Sequence, residues 1–285
     1  MSGIRLVTDS ACDLTDELLA ELGVGMVPLS IRFGSEELVD RVELSTKEFW
    51  SRVAEASTLP ETAAPSPGAF VRAFERMADE GAEGVVCINL SSKLSATIEA
   101  ARQAARELEG RLAVRVVDSE SVTMGEGLVV VEAAQRAAGG AGLDDVVAAA
   151  GDALRRMKVY GAIDTLENLR KGGRIGGAQA LLGSLLSIKP VIEVRAGVVE
   201  QESKQRTRAR SLEYLAGKVK AAGPIARLAV SGADAPDLDK FLDLLDGVHP
   251  TERLLLGDIG PVIGTHAGPR AIGVAWLPAT ASGTA

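Results

Sequence analysis

The sequence predicts an α/β protein of two domains, an N-terminal Rossmann-like domain with a parallel sheet and a C-terminal α/β domain with a mixed sheet. Three observations support this fold class. The chain has 285 residues, which is enough for two hydrophobic cores. In the first half, short apolar runs alternate with helical patterns, as in parallel sheets covered by helices on both faces. In the second half, a hairpin pattern lies among helices and indicates antiparallel pairing.

The elements of the first domain, residues 1–157, follow from β-branched runs and from capping signals. Ser45-Thr46-Lys47-Glu48 is a capping box, and Ser66-Pro67 joins an N-cap to a proline at the first helical position. The expected strands are Ile4 to Val7, Gly84 to Asn89 and Ala113 to Val117, with a further extended stretch from Val24 to Phe33. The expected helices are Asp16 to Leu22, Ser45 to Glu55, Ser66 to Asp79, Ser95 to Glu109, Gly127 to Ala138 and Leu143 to Met157.

The second domain, residues 158–285, begins where this alternation changes. The run from Val191 to Glu200 has a two-residue centre, Ala196-Gly197, and predicts a tight hairpin. The other expected strands are Val159 to Ile163, Ile225 to Val230, Arg253 to Leu256 and Ala271 to Leu277. Helices are expected at Ser211 to Ala221 and at Asp237 to Leu245.

Charge and cysteine content limit the partners and compartments that fit the chain. The formal net charge of −8 argues against nucleic acid and leaves at most a transient membrane contact. Cys12 and Cys87 make no disulfide framework, and two histidines make no histidine-rich metal site. No signal peptide is recognisable, and the nearly uncharged stretch from Gly176 to Ser187 is too short to span a bilayer. We expect a cytoplasmic protein, and a monomer because no sustained amphipathic pattern requires a second copy.

Polar residues that follow the predicted parallel strands are the first candidates for a site, because ligands bind at the carboxyl ends of such strands. Three segments qualify: Thr8-Asp9-Ser10, the serine loop from Asn89 to Thr97, and Asp118-Ser119. In the serine loop, Ser91, Ser92, Ser95 and Thr97 cluster where a helix begins. Such a cluster either binds an anion at the helix N-terminus or only caps the helix.

The remaining polar motifs leave alternatives open. His249 is expected in a solvated loop, whereas His266 lies in Gly264-Thr265-His266-Ala267-Gly268-Pro269, which is either a backbone shaped for a ligand or a plain turn. The sequence has neither a Gly-x-Ser-x-Gly elbow nor a phosphate-binding loop of the Gly-x-x-x-x-Gly-Lys-[Ser/Thr] type. A self-contained nucleotide-using enzyme is therefore poorly supported.

A basic segment runs from Arg170 to Arg210 and carries a net charge of +6 in a chain whose total is −8. Its members are Arg170, Lys171, Arg174, Lys189, Arg195, Lys204, Arg206, Arg208 and Arg210, against Glu193, Glu200 and Glu202. The segment is either the solvated face of a hairpin or a docking site for an acidic partner or a phosphate.

Seven motifs are distributed over essentially the whole chain: Val7-Thr8-Asp9-Ser10-Ala11-Cys12-Asp13-Leu14, Val27-Pro28-Leu29-Ser30, Leu94-Ser95-Ala96-Thr97, Val117-Asp118-Ser119, Leu169-Arg170-Lys171-Gly172-Gly173-Arg174-Ile175, Ile188-Lys189-Pro190 and Gly264 to Pro269. Their order and spacing resemble those of DegV family proteins. The resemblance implies a fatty-acid-binding subunit of a bacterial fatty acid kinase. Such a subunit holds a fatty acid in a tunnel between its two domains and presents the carboxylate to a separate ATP-dependent kinase subunit. The product, an acyl phosphate, feeds phospholipid synthesis, and the carrier itself has no catalytic residues, metal or cofactor.

The same resemblance implies roles for individual residues. The carboxylate-binding residues fall on Thr62, Ser95 and His266, with Ser92 close enough to Ser95 to be confused with it. The arginine that supports phosphorylation falls on Arg206, and we group Arg174 and Lys171 with it as kinase-docking residues. The sequence departs from the family pattern at Ala63-Ala64, where Ser-Gln is commoner, and at Ala96, where glycine is commoner.

Physical chemistry is consistent with a lipid carrier. At roughly 0.8 kcal/mol per buried methylene, a tail of about 14 methylenes contributes on the order of 11 kcal/mol before costs. Only 9 of 285 residues are aromatic, which suits an aliphatic tunnel, and Ala178 to Leu186 is a candidate wall. Two alternatives stay open: a transferase or hydrolase that uses Asp9, Asp118 and the serine loop with a metal, and a regulatory module that only senses lipid.

Overall fold

The computed structural model describes residues 3–181, 188–249 and 253–279. The first half contains β1 (Ile4–Asp9), α1 (Asp16–Leu22), β2 (Val24–Val27), β3 (Ser30–Phe33), β4 (Glu36–Val39), α2 (Thr46–Glu55), β5 (Glu61–Ala63), α3 (Pro67–Asp79), β6 (Gly84–Asn89), α4 (Thr97–Glu107), β7 (Ala113–Asp118), α5 (Thr123–Ala138) and α6 (Leu143–Arg156). The second half contains β8 (Lys158–Ala162), α7 (Glu167–Lys171), β9 (Lys189–Arg195), β10 (Val198–Gln205), α8 (Arg208–Lys220), β11 (Ile225–Gly232), α9 (Leu238–Leu244), β12 (Leu254–Asp258), α10 (Pro261–Ala267) and β13 (Ile272–Pro278).

Two large sheets confirm the predicted fold class. The first is entirely parallel and has the order β2-β1-β6-β7. The second has the order β10-β9-β8-β13-β11-β12 and is mixed, because β11 and β12 are parallel while the other pairs are antiparallel. The chain passes from the first sheet to the second between α6 and β8. The limits of the two domains, residues 1–157 and 158–285, stay a prediction.

The hairpin of the second sheet forms as the sequence predicts. Val198 pairs with Arg195, which leaves Ala196 and Gly197 as the two turn residues. Their φ angles are 48° and 79°. Two consecutive positive φ angles are characteristic of a type I′ turn, whose twist matches that of the strands it joins.

Helix α5 packs between the two large sheets and connects their cores. It contacts β1 of the first sheet and β11 and β13 of the second. The first part of α5, residues 123–131, is buried on all sides, and Leu128 and Val130 within it are fully inaccessible. We expected this helix to begin at Gly127, but it begins at Thr123. Its first turns contain Gly125 and Gly127, which have low helix propensity, so packing rather than propensity determines where it begins.

The stretch from Val24 to Phe33, expected as one extended segment, is split between two sheets. β2 pairs with β1, whereas β3 belongs to a three-stranded antiparallel sheet of order β4-β3-β5. Pro28 lies between them and has no backbone N–H for a ladder. The small sheet was not predicted, because its strands have only three or four residues and too little alternation to recognise.

Two further findings concern chemistry and membranes. Cys12 and Cys87 are buried, unpaired thiols. Every helix within residues 3–181, 188–249 and 253–279 is too short or too polar to cross a bilayer.

Close packing around α5 gives a test of the fold. A Cβ atom on Gly127 would lie 2.8 Å from both the carbonyl oxygen of Cys12 and Cδ2 of Leu14. Overpacking costs about 1–3 kcal/mol, so Gly127→Ala should lower the urea midpoint despite the better helix propensity of alanine. Gly151→Ala on α6 is the matched control, because its Cβ would meet only Nη1 of Arg155, at 3.5 Å. The control should raise the midpoint, and equal shifts in both variants would contradict this packing.

Candidate functional site

A cavity of about 290 Å³ lies where the three sheets approach one another. This volume is just below the roughly 300–1,000 Å³ that is usual for small-molecule sites. Most of its wall is aliphatic, formed by Leu29, Ala63, Ala64, Leu90, Leu94, Ala96, Val122, Leu169, Ile192, Val194, Val199, Val262, Ile263 and Ala267. The polar lining residues are Thr62, Ser95, Arg174 and His266. The lining therefore has the chemistry expected of a site for an apolar group that ends in a polar head.

Thr62 and His266 meet at the polar end although 204 residues separate them. Thr62 comes from β5 and His266 from the last turn of α10, and Thr62 Oγ1 lies 3.1 Å from His266 Nε2. We expected His266 either in a backbone shaped for a ligand or in a plain turn, whereas the structure places it in a helix. Gly264 allows that helix to pack on Trp50, since a Cβ there would lie 2.8 Å from Cζ2 of the indole. The neighbouring glycines therefore serve packing and helix termination.

His266 is neutral at physiological pH. Burial and the positive charge of Arg174 lower the pKa of His266 to about 4. Its Nδ1 is buried without a hydrogen-bond partner and faces Gly172, where a Cβ atom would lie only 2.3 Å away. A neutral imidazole has one N–H donor and one acceptor nitrogen, so Nε2 can either donate to an oxygen or accept from the Thr62 hydroxyl.

Ser95 reaches the cavity from the end of the serine loop. Its Oγ lies 2.9 Å from Oγ1 of Thr97 and accepts a hydrogen bond from the Thr97 N–H at 3.3 Å. Helix α4 begins at Thr97, so Ser95 contributes to capping this helix. The same hydroxyl group lines the cavity, so capping does not remove it from the site.

Asp9 fixes the start of the serine loop by hydrogen bonds. Its Oδ2 accepts the Asn89 side-chain amide and the Leu90 N–H, both at 3.0 Å, and its Oδ1 accepts the Ala11 N–H. Burial raises the pKa of Asp9 to about 6. Both carboxylate oxygens of Asp9 are therefore engaged by the surrounding backbone and by Asn89, which favours a structural role for Asp9.

Asp118 supports the same loop by accepting the Ser92 backbone N–H, and it also accepts the backbone N–H of Glu120 after β7. No group of three or more His, Cys, Asp or Glu side chains in the described residues is arranged to hold a metal ion. The geometry therefore gives no support to the alternative of a metal-dependent enzyme that uses Asp9 and Asp118.

The turn of the β9–β10 hairpin accepts two hydrogen bonds from the serine loop. Ser91 Oγ donates to the Gly197 carbonyl at 2.7 Å, and Lys93 Nζ donates to the Ala196 carbonyl at 2.8 Å. Gly197 is required for two reasons, because its φ is 79° and a Cβ there would lie 2.5 Å from Ser91 Oγ. The second sheet thus fixes the loop that carries Ser95.

Arg174 lines the cavity, although we grouped it with the partner-facing residues. Its Nε donates to the Leu94 carbonyl at 3.1 Å and its Nη1 to the Gly172 carbonyl at 2.6 Å. The guanidinium group therefore connects the serine loop to the segment that packs on His266. No local sequence pattern indicates this position, because both acceptors are backbone carbonyls.

The other predicted site residues lie outside the cavity lining. Ser92 and Arg206 are exposed, and Lys171 is exposed and paired with Glu167 at 2.7 Å. The aliphatic wall was also incompletely predicted. Ile192 and Val194 alternate along β9 and share one face, so the hairpin pattern alone could have identified them.

The candidate wall from Ala178 to Leu186 is only partly described, since residues 182–187 lie outside the described residues. Within the described part, Ala178 is buried in the hydrophobic cluster that surrounds the cavity.

Ion pairs reduce the positive charge of the basic segment. Lys189 pairs with Asp164, and Arg208 pairs with Asp237 at 2.9 Å. Asp164, Asp237 and the Glu167 partner of Lys171 lie outside the segment in sequence, so the count of charges within the segment overstates its unpaired positive charge. Four exposed cations of the segment have no ion pair within the described part of the chain: Arg170, Lys204, Arg206 and Arg210.

The fold and this cavity define an α/β protein that encloses an aliphatic pocket with a polar end, and comparison with known proteins identifies the family. A model of the DegV family, described as uncharacterised proteins, matches residues 3–279. A DegV domain-containing protein of Deinococcus radiodurans is 38% identical over 286 residues, covering 98% of this chain and 99% of the relative. The chain therefore belongs to the DegV family.

Solved structures of relatives share the fold. A DegV family protein from Thermus thermophilus, which is described by its fatty acid binding, is 34% identical to this chain and has a TM-score of 0.87. The match covers 97% of this chain and 99% of the Thermus thermophilus chain. DegV from Bacillus subtilis, described as a fatty acid binding protein, is 28% identical with a TM-score of 0.85, covering 98% of this chain and 100% of its own.

The burial of His266 leads to a pH prediction. Because its pKa falls from 6.5 to about 4 on folding, the unfolded chain binds more protons between these values. The contribution of His266 to the free energy of unfolding should therefore decrease as the pH falls from about 6.5 to about 4. In urea titrations, the free energy of unfolding of the wild type minus that of His266→Gln should decrease across this range. Identical pH dependence in both proteins would contradict a buried, neutral His266.

Proposed function

We propose that this protein binds one long-chain fatty acid and presents its carboxylate to a separate ATP-dependent kinase subunit. The observation that carries the proposal is the cavity, whose walls are aliphatic and whose polar lining residues include Thr62, Ser95, Arg174 and His266. In this proposal the acyl chain lies along the aliphatic wall between the domains of residues 1–157 and 158–285. The protein acts as a cytoplasmic monomer.

The polar residues match the needs of a buried carboxylate. A carboxylate removed from water must be hydrogen-bonded and charge-paired to be tolerated. The hydroxyl groups of Thr62 and Ser95 and the N–H of neutral His266 are donors, and Arg174 supplies the positive charge. Charge-assisted hydrogen bonds of this kind are shorter and about twice as strong as neutral ones.

Two relatives support the ligand class. The proteins from Thermus thermophilus and Bacillus subtilis, which share this fold at TM-scores of 0.87 and 0.85, are described as fatty acid binding. The departures at Ala63 and Ala64 lie in the cavity lining, where two methyl groups extend the apolar surface.

Two observations support a role for a separate kinase subunit: the motifs of the sequence and the positions of the exposed cations. The sequence has no phosphate-binding loop of the Gly-x-x-x-x-Gly-Lys-[Ser/Thr] type, and in this proposal the separate kinase subunit binds ATP. In the joint reaction a carboxylate oxygen bonds to the γ-phosphorus of ATP, the bond from that phosphorus to the bridging oxygen breaks, and ADP leaves. The four exposed cations Arg170, Lys204, Arg206 and Arg210 are suited to an acidic kinase surface, and Arg206 is the expected support for phosphoryl transfer.

Removing head-group donors should weaken fatty acid binding. Thr62→Val preserves shape and deletes one hydroxyl, and Ser95→Ala deletes the other. A lost hydrogen bond to a charged group costs about 1.5–3 kcal/mol, so each variant should bind palmitate or oleate roughly 10- to 100-fold more weakly. Ser92→Ala is the matched control, because Ser92 is exposed and outside the cavity lining. Equal calorimetric affinity in all three variants and the wild type would remove Thr62 and Ser95 from the head-group site.

Reversing the charge of Arg206 should impair presentation of the carboxylate to the kinase subunit without weakening fatty acid binding. With a cognate ATP-dependent kinase subunit, Arg206→Glu should slow acyl phosphate formation several-fold while fatty acid affinity stays unchanged, because rim charges act mainly on association. Arg106→Glu, an exposed change near the end of α4, is the control and should leave the rate unchanged.

Two outcomes of the same assay count against this role. An equal rate for Arg206→Glu and Arg106→Glu would remove Arg206 from the docking surface. No acyl phosphate from the wild-type protein with bound fatty acid would favour the lipid-sensing alternative.

A further inference from the structure

We infer that Asp13 is a positioning residue for His266, because it holds the start of the helix that carries this histidine. The inference rests on the proposed fatty acid site for its functional consequence, but its structural part can be tested without any lipid. It concerns a carboxylate that lies outside the cavity and that the proposed binding chemistry does not use.

Asp13 connects the loop that follows β1 to the start of α10 by a hydrogen bond. It follows the short 3-10 helix Ser10–Cys12 and adopts a left-handed conformation with φ 55°. From this position its Oδ1 accepts the backbone N–H of Gly260 at 3.0 Å, across 247 residues of sequence. Gly260 is the N-cap of α10 and immediately precedes Pro261, so the bond fixes the backbone where this helix begins.

The contact explains why residue 260 is a glycine. The φ of Gly260 is −69°, which any residue can adopt. A Cβ atom there would, however, lie 2.7 Å from Asp13 Oδ1. The close approach of the carboxylate, rather than backbone conformation, therefore requires glycine.

A shift at the start of α10 would reach His266. The helix has only seven residues, and six residues at about 1.5 Å each place His266 roughly 9 Å from Gly260 along the axis. Farther along, Asn168 Nδ2 donates to the Thr265 carbonyl at 3.1 Å. With both ends held, His266 Nε2 can stay 3.1 Å from Thr62 Oγ1, a spacing that tolerates only a few tenths of an ångström.

Asp13 can accept this bond in either protonation state. Burial raises the pKa of Asp13 to about 8, and the negative charge of Asp40 acts in the same direction. Hydrogen bonds from the Thr123 hydroxyl and the Gly260 N–H, and the positive charge of Arg41, oppose this rise of the pKa. A protonated acid and an asparagine both keep an acceptor oxygen. Asp13→Asn is therefore a conservative variant that preserves the tie, whereas Asp13→Ala removes it.

The two histidines of the chain provide a direct readout of the tie. Only His249 and His266 contribute imidazole signals, so a ¹H–¹³C titration of lipid-free protein can follow His266 with His249 as an internal reference. In Asp13→Ala, loosening of α10 should hydrate His266 and move its pKa from about 4 toward 6.5, while Asp13→Asn should resemble the wild type. Val86→Ala, in the core of β6, controls for lost stability alone and should leave the His266 titration unchanged.

A second variant breaks the same contact from the helix side. Gly260→Ala should reproduce the His266 shift, which keeps the inference testable if Asp13→Ala does not fold. Both disrupting variants should also bind palmitate about tenfold more weakly than Asp13→Asn. An unchanged His266 titration in folded Asp13→Ala or Gly260→Ala would overturn the positioning role. Failure of the wild type to bind palmitate, with the titration shift present, would instead overturn only the proposed function.

Discussion

The contact between Thr62 and His266 is the interaction on which the rest of the site depends. It joins the three-stranded sheet to α10 across 204 residues, so the cavity has a polar end only when the whole chain is folded. Burial keeps His266 neutral, which leaves its ring as a hydrogen-bond group and leaves Arg174 as the cation beside it. A proposed fatty acid carboxylate would therefore meet donors already in place, without the cost of ordering them on binding.

Carboxylates and glycines around the cavity serve mainly to hold backbone segments at close range. Asp9 fixes the start of the serine loop, and Asp13 fixes the start of α10. The hairpin tip adds a third tie, in which the absence of a side chain at Gly197 lets Ser91 reach the carbonyl of that residue. Buried carboxylates are costly to ionise, and burial raises the pKa of both Asp9 and Asp13. Their positions are better explained by these backbone contacts than by catalysis.

The sequence was sufficient for the two large sheets because β-branched runs and a type I′ turn are local signals. The sequence was insufficient where the position of an element depends on distant contacts. The stretch from Val24 to Phe33 was expected as one extended segment, but it divides at Pro28 into two strands of different sheets. His266 lies in a short helix that was not predicted, because the glycines around it indicated a turn. The position of Arg174 in the cavity lining was not predicted, because its hydrogen-bond acceptors are backbone carbonyls of remote segments. Thr62, Ser95 and His266 came from family resemblance, and the structure brings all three to one cavity. Their role there is part of the proposed function.

The lipid content of the purified protein shows whether the cavity holds a long-chain fatty acid. Protein freed of loosely bound lipid would be denatured, extracted and examined by mass spectrometry against a protein standard of known amount. A single fatty acid site predicts about one long-chain fatty acid per chain, or saturable uptake of added palmitate or oleate to that ratio where the purified protein is empty. No fatty acid in the extract, together with no uptake of either added lipid, would contradict it.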